Sequence, residues 1–179
     1  MSAKIIFLLL GSLCCLAQGQ SDADPWKKIS LWPVCFEGRN DRYGFFNYLG
    51  GVPRLVAGIK LVHKSGTIRC KTDVSKNSKW GCYRHSEFKD YRLNVVVTDS
   101  NNNVIFPRPE YIKHTSGLWY WLPGVDENHS NELVFTDFAH PFYLPHSTEL
   151  RVWYGEDLKN WNERDNQGKV CVDVFAHYM

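Results

Sequence analysis

The stretch His146-Ser-Thr-Glu-Leu-Arg-Val-Trp-Tyr-Gly-Glu-Asp-Leu-Lys-Asn-Trp-Asn-Glu-Arg-Asp-Asn-Gln-Gly-Lys-Val-Cys-Val-Asp-Val-Phe175 carries the two clearest strand signals in the chain. Leu150, Val152 and Tyr154 alternate with Arg151 and Trp153, and Val170, Val172 and Val174 alternate with Cys171, Asp173 and Phe175. A repeat of two residues is that of a β-strand, because successive side chains point to opposite faces of a sheet. Between the two strands, Gly155 to Gly168 is polar and rich in carboxylates, and one of the strands carries a cysteine. A sheet pinned covalently, with an acidic loop hung on it, is the expected centre of the fold.

Working outward, Leu55 to Val62 reads as a strand, and Lys64-Ser65-Gly66 before Thr67-Ile68-Arg69-Cys70 reads as the turn and return arm of a hairpin. Arg92 to Thr98, the turn Asp99 to Asn103 and Val104 to Phe106 read as a second hairpin, stopped by Pro107 and Pro109. Leu31 to Phe36 is a further short strand, kept to an edge or to its own start by Pro33. Leu118 to Leu122 is an aromatic one, and Glu132 to Phe138 another. No segment holds a 3.6-residue period for three turns. Short strands between turn signals predict an all-β, mainly antiparallel sandwich or jelly-roll-like domain of about eight strands.

Met1 to Gly19 places one charge, Lys4, before an apolar run from Ile5 to Leu16 and then Ala17-Gln18-Gly19. This is the pattern of a secretory signal peptide, cleaved after Gly19, and the run falls well short of the ~20 residues that span a bilayer. Residues 20–179 then form a single secreted β domain, with 20–30 as a loose N-terminal arm because it is polar and holds Pro25. The formal charge of +2 falls to +1 when Lys4 leaves, and both signs are mixed along the chain. That balance gives no footprint for nucleic acid or a membrane surface. Extracellular matrix components, glycans or a mineral surface are the expected partners.

Four cysteines remain after the signal: Cys35, Cys70, Cys82 and Cys171. An even number in an oxidising compartment means disulfides, and the paired short spacings of a zinc site are absent. Of three possible pairings, nested closure favours Cys70 with Cys82 and Cys35 with Cys171, since chain ends usually lie close together.

The acidic loop offers Glu156, Asp157, Glu163 and Asp165, oxygen ligands of the kind Ca²⁺ takes, although their spacing matches no twelve-residue calcium loop. Asp173 shares a strand face with Cys171 and Phe175, so its carboxylate needs a partner. Either an arginine or backbone amides, or a cation shared with the loop, would serve. No other cofactor is implied. Trp119 and Trp121 fall on one face of their strand, a candidate platform for stacking on sugar rings. The seven histidines stand in no metal-binding or nucleophile motif, so no catalytic residue is named and a non-enzymatic protein is expected. Asn128-His129-Ser130 is an N-glycosylation sequon after the breaker Pro123-Gly124.

Cys35-Phe36, Tyr43-Gly44, Ile59-Lys-Leu-Val-His-Lys-Ser-Gly66, Trp80-Gly-Cys82, Val97-Thr-Asp-Ser-Asn-Asn-Asn-Val104, Leu122-Pro-Gly124, Asn131-Glu-Leu-Val-Phe135, Trp153-Tyr-Gly-Glu-Asp-Leu158 and Val170-Cys-Val-Asp-Val174 span most of the mature chain. Together they resemble a family of secreted proteins from corals and sea anemones, similar to proteins of the coral skeletal organic matrix. The resemblance implies an extracellular, matrix-associated role and supplies no catalytic residues. The resulting expectation is a secreted, non-enzymatic extracellular or skeletal-matrix module, calcium- or mineral-associated through its acidic loop. A lectin-like domain using Trp119 and Trp121 is the alternative. A secreted hydrolase, the third reading, would need a cleft that brings a histidine and a carboxylate together.

Overall fold

The computed structural model describes residues 24–179, so the signal sequence and its cleavage point lie outside the described residues. In chain order the strands are β1 (Trp26–Lys28), β2 (Val34–Glu37), β3 (Gly44–Asn47), β4 (Arg54–Arg69), β5 (Val95–Asp99), β6 (Val104–Phe106), β7 (Ile112–His114), β8 (Trp119–Tyr120), β9 (Glu132–Thr136), β10 (Phe142–Leu144), β11 (Glu149–Tyr154) and β12 (Gln167–Tyr178). One helical turn, α1 (Gly155–Leu158), follows β11. The fold class is all-β and antiparallel as expected, with twelve strands among the described residues rather than about eight.

The larger sheet runs β1-β12-β4-β10, with β2 also paired to β12 and β9 to β4. The second runs β3-β11-β5-β6, and β7 pairs with β8 in a small ribbon. Phe36, Ile59, Leu61, Val170, Val172 and Val174 of the larger sheet share one buried cluster with Val97, Leu150 and Val152 of the second. Each such side chain taken fully out of water contributes roughly 1.5–3 kcal/mol, which is what holds the sheets together.

Three local readings change. Lys64-Ser65-Gly66 is no hairpin turn, since β4 continues through it for 16 residues. Val172 sits opposite His63 and Cys171 opposite Ser65, which leaves Lys64 as the extra residue of a bulge. Gly66 has φ +84° there, and a Cβ on it would lie 2.0 Å from the Lys169 carbonyl oxygen. Turns and bulges call for the same small, permissive residues, so composition does not separate them. The supposed arm is the second change, because residues 26–28 pair with Phe175, Ala176 and His177 of β12. Third, β11 and β12 belong to different sheets, so the acidic loop crosses between sheets instead of capping one.

The disulfides are Cys35–Cys171 and Cys70–Cys82, the nested pairing. Cys35 and Cys171 are direct cross-strand partners of β2 and β12. Among the described residues no helix is long and apolar enough to cross a membrane.

Candidate functional site

The segment after β8 decides which of the tryptophans at 119 and 121 reaches the surface. Pro123 has no N–H to donate and Gly124 turns at φ +72°, so the ribbon strand stops at Tyr120 and its alternation stops with it. Trp119 and Tyr120 are both fully buried, whereas Trp121 is 48% exposed. The expected two-tryptophan platform is therefore reduced to Trp121. Trp119 instead faces inward, where its Nε1 donates to Glu156 Oε1 at 3.0 Å. Tyr120 donates its hydroxyl to the Val95 carbonyl.

Trp121 lines an open cleft of about 470 Å³ together with Lys89, Asp90, Arg92, Asp126 and Glu127. Glu127 is buried, and its Oε1 accepts from the Arg84 backbone N–H at 3.2 Å and from Arg92 Nη1 at 3.3 Å. Asp126 Oδ1 accepts from the backbone N–H groups of Asn128 at 2.8 Å and His129 at 2.6 Å, and Ser130 Oγ accepts from the Asp126 N–H at 2.9 Å. Burial pushes the Asp126 carboxyl up, but those backbone hydrogen bonds outweigh it and hold the group below the usual range, ionised at neutral pH. The cleft thus sets one exposed ring face beside two cationic and three anionic side chains. That combination can stack on the apolar face of a sugar ring while donating to some of its hydroxyls and accepting from others.

The residue after Trp121, Leu122, lines a different and smaller pocket of about 220 Å³ with Phe106, Arg108, Tyr111 and Phe135. Arg108 is neutralised there by Asp137 at 2.6 Å and Glu110 at 2.7 Å, and the pocket presents no free charge from it.

Of the carboxylates proposed as calcium ligands, Asp157 and Glu163 come together on the turn at 40–42. Asp157 accepts from the backbone N–H groups of Asp41 at 2.9 Å and Arg42 at 3.1 Å, and Glu163 accepts from Asn40 at 3.2 Å. Burial, and then Glu163 close by, push Asp157 up to about 7. Glu156 is buried against Trp119, and burial pushes it up to about 8. Asp165 lies in a 3-10 turn at Glu163–Asp165. Asp173 is paired with Lys28 Nζ at 2.9 Å and Lys64 Nζ at 3.5 Å, so two lysines fill the role expected of an arginine, backbone amides or a cation. Among the described residues no group of three or more His, Cys, Asp or Glu is placed to hold a metal ion. Two histidine–carboxylate pairs do form, His129 with Asp126 at 2.8 Å and His140 with Asp137 at 3.3 Å. Both close tight turns of four residues, and in both the carboxylate also accepts the histidine's own backbone N–H.

Asp90 and Glu127 escape sequence reading because they come from irregular segments without periodicity, Arg92 reads as the start of a strand that begins only at Val95, and only the fold brings the three to Trp121. No family model matches the chain, and no curated protein matches it. Among solved structures it is similar to AJLec from the sea anemone Anthopleura japonica, with a TM-score of 0.77 and 36% sequence identity over 86% of this chain and 97% of AJLec. The chain belongs to the AJLec family. Because nearly all of AJLec is covered, the kinship rests on the whole domain and not on one motif. A sea-anemone relative is what the sequence resemblance implied; AJLec brings no coral skeletal matrix protein with it.

Proposed function

We propose that this protein is a secreted, lectin-like carbohydrate-binding module, with no catalytic step, whose sugar site is the Trp121 cleft. The observation that carries the reading is Trp121 itself: a half-exposed indole over a cleft walled by Asp90, Arg92, Asp126 and Glu127. The name of its relative, AJLec, reads as that of a lectin and favours this function over a mineral-associated matrix module. The mineral reading has less support, since Asp157 and Glu163 accept from backbone amides, Glu156 from Trp119, and Asp173 of β12 is paired with two lysines. Two disulfides suit an oxidising, extracellular setting, where glycans of cell surfaces and matrix are the available partners.

Trp121→Ala is expected to weaken binding by about tenfold or more, the equivalent of ~1.4 kcal/mol from the lost ring. A glycan array, followed by calorimetry on the best binder with millimolar Ca²⁺ and again with a chelator, measures it. A blank array under both conditions, or a variant that binds as tightly as the parent, would sink the proposal.

A further inference from the structure

The sequon follows directly on two residues of the cleft wall, Asp126 and Glu127. Residues 126–130 are clamped as one turn by the hydrogen bonds of Asp126 to Asn128, His129 and Ser130. The turn is then fastened to the body: the Glu127 carbonyl accepts from Lys79 N at 3.0 Å and Trp80 N at 2.9 Å, and Trp80 Nε1 donates to the Ser130 carbonyl at 2.8 Å. The neighbours of Asn128 are all occupied. Glu127 turns inward to Arg92, His129 folds back on Asp126 and lies 6.0 Å from the Tyr83 ring, and Ser130 Oγ caps Asp126. Asn128 is half-buried, and its side-chain amide makes no hydrogen bond among the described residues.

Asp126 and Glu127 line the cleft, and two Cα steps of 3.80 Å put the Asn128 Cα within ~7.6 Å of that of Asp126. A branched N-glycan is bulky and solvated, and several times longer than that separation. We propose that Asn128 carries an N-glycan that lies over the mouth of the Trp121 cleft and restricts the entry of other sugars. In its formation the Asn128 Nδ2 bonds to the anomeric carbon of a lipid-pyrophosphate-linked oligosaccharide; the lipid pyrophosphate leaves with the bonding electron pair, and the amide gives up one proton. The glycosylated protein is then the weaker binder, and trimming or loss of the glycan opens the site. The consequence for binding rests on the carbohydrate reading of the cleft; the shielding of Trp121 does not.

The test uses the full chain secreted from a eukaryotic host, in three forms: as secreted, enzymatically deglycosylated, and as Asn128→Gln. Peptide mass mapping locates the glycan. Oxidative footprinting reads the accessibility of Trp121, with Trp32, 79% exposed, as an internal control. Both glycan-free forms are expected to oxidise severalfold faster at Trp121 and unchanged at Trp32, and to bind immobilised sugar severalfold more tightly. An unmodified Asn128, or equal Trp121 oxidation in all forms, overturns the proposal. Because the deglycosylated parent keeps its own fold, a poorly folded variant does not blur the result. Faster Trp121 oxidation in forms that bind no sugar at all would uphold the shield and refute the carbohydrate site.

Discussion

Glu156→Gln is expected to leave the protein at least as stable as the parent at pH 8 and to remove most of the fall in stability that the parent shows between pH 6.5 and 8. The side chain is buried behind α1, with Oε1 accepting from Trp119 Nε1 and its backbone N–H donating to Asn94 Oδ1 at 3.1 Å. Two buried oxygens nearby, Glu156 Oε2 and Asn166 Oδ1, have no donor, and Asn166 Nδ2 is already given to the Gly38 carbonyl at 2.9 Å. A protonated Glu156 has an O–H to donate, which the ionised carboxylate lacks. Burial raises its pKa to about 8, against the pull of the Asn166 and Trp119 side chains, while the unfolded chain titrates near the ordinary 4.5.

Below 4.5 both states hold the proton and the contribution is complete; between 4.5 and 8 folding must take up a proton, so stability falls by about 1.4 kcal/mol per pH unit. Above 8 the loss is over. Other groups act elsewhere. His85, lowered by burial, opposes this trend only below its ordinary 6.5, and Asp99 and Asp137, whose hydrogen bonds overcome burial, act below 3.8. Asp157 adds a share that ends near 7. From pH 6.5 to 8 the parent should lose on the order of 2 kcal/mol, and the glutamine variant only the part due to Asp157. Calorimetry across pH 5.5 to 9 measures it; parallel curves for the two proteins would refute a neutral Glu156.

Replacing Cys35 and Cys171 together by Ser is expected to remove roughly 5 kcal/mol, against about 3 kcal/mol for the Cys70 and Cys82 pair, because the sequence separations are 136 and 12 residues and the larger loop constrains the unfolded chain more. Small domains hold only ~5–15 kcal/mol in all, so the first variant should sit close to unfolding at room temperature. Its four-residue β2 also touches the larger sheet through β12 alone. Urea denaturation gives both values. An equal loss, or a larger one for the short loop, would show that strain or residual structure governs these bridges.

Much of this architecture was legible because strands announce themselves by parity: Leu150 to Tyr154 and Val170 to Phe175 are strands, and Val95 to Phe106 is a hairpin. Parity failed at Trp119 and Trp121, where a strand two residues long cannot keep one face. The loop carboxylates can be read two ways for a chemical reason. Backbone amides at tight turns and hard cations ask for the same oxygen acceptors, and Asp157 and Glu163 serve the amides of Asn40, Asp41 and Arg42. The cleft was half visible: Trp121 was named from the sequence, but Arg92 and Glu127 meet only because β8 and the 126–130 turn bring distant segments together.

The position of β12 has a consequence for biosynthesis. Among the described residues it is the last strand in chain order, yet β1, β2 and β4 all pair with it. A nascent chain therefore emerges with the centre of its larger sheet missing, and that sheet closes only once residues 167–178 have left the ribosome. During that interval Cys70 can meet Cys82, while Cys35 has no native partner until Cys171 emerges. A chain arrested before residue 167 is expected to expose Cys35 to alkylation with Cys70 and Cys82 already oxidised; a protected Cys35 would mean that it first pairs wrongly.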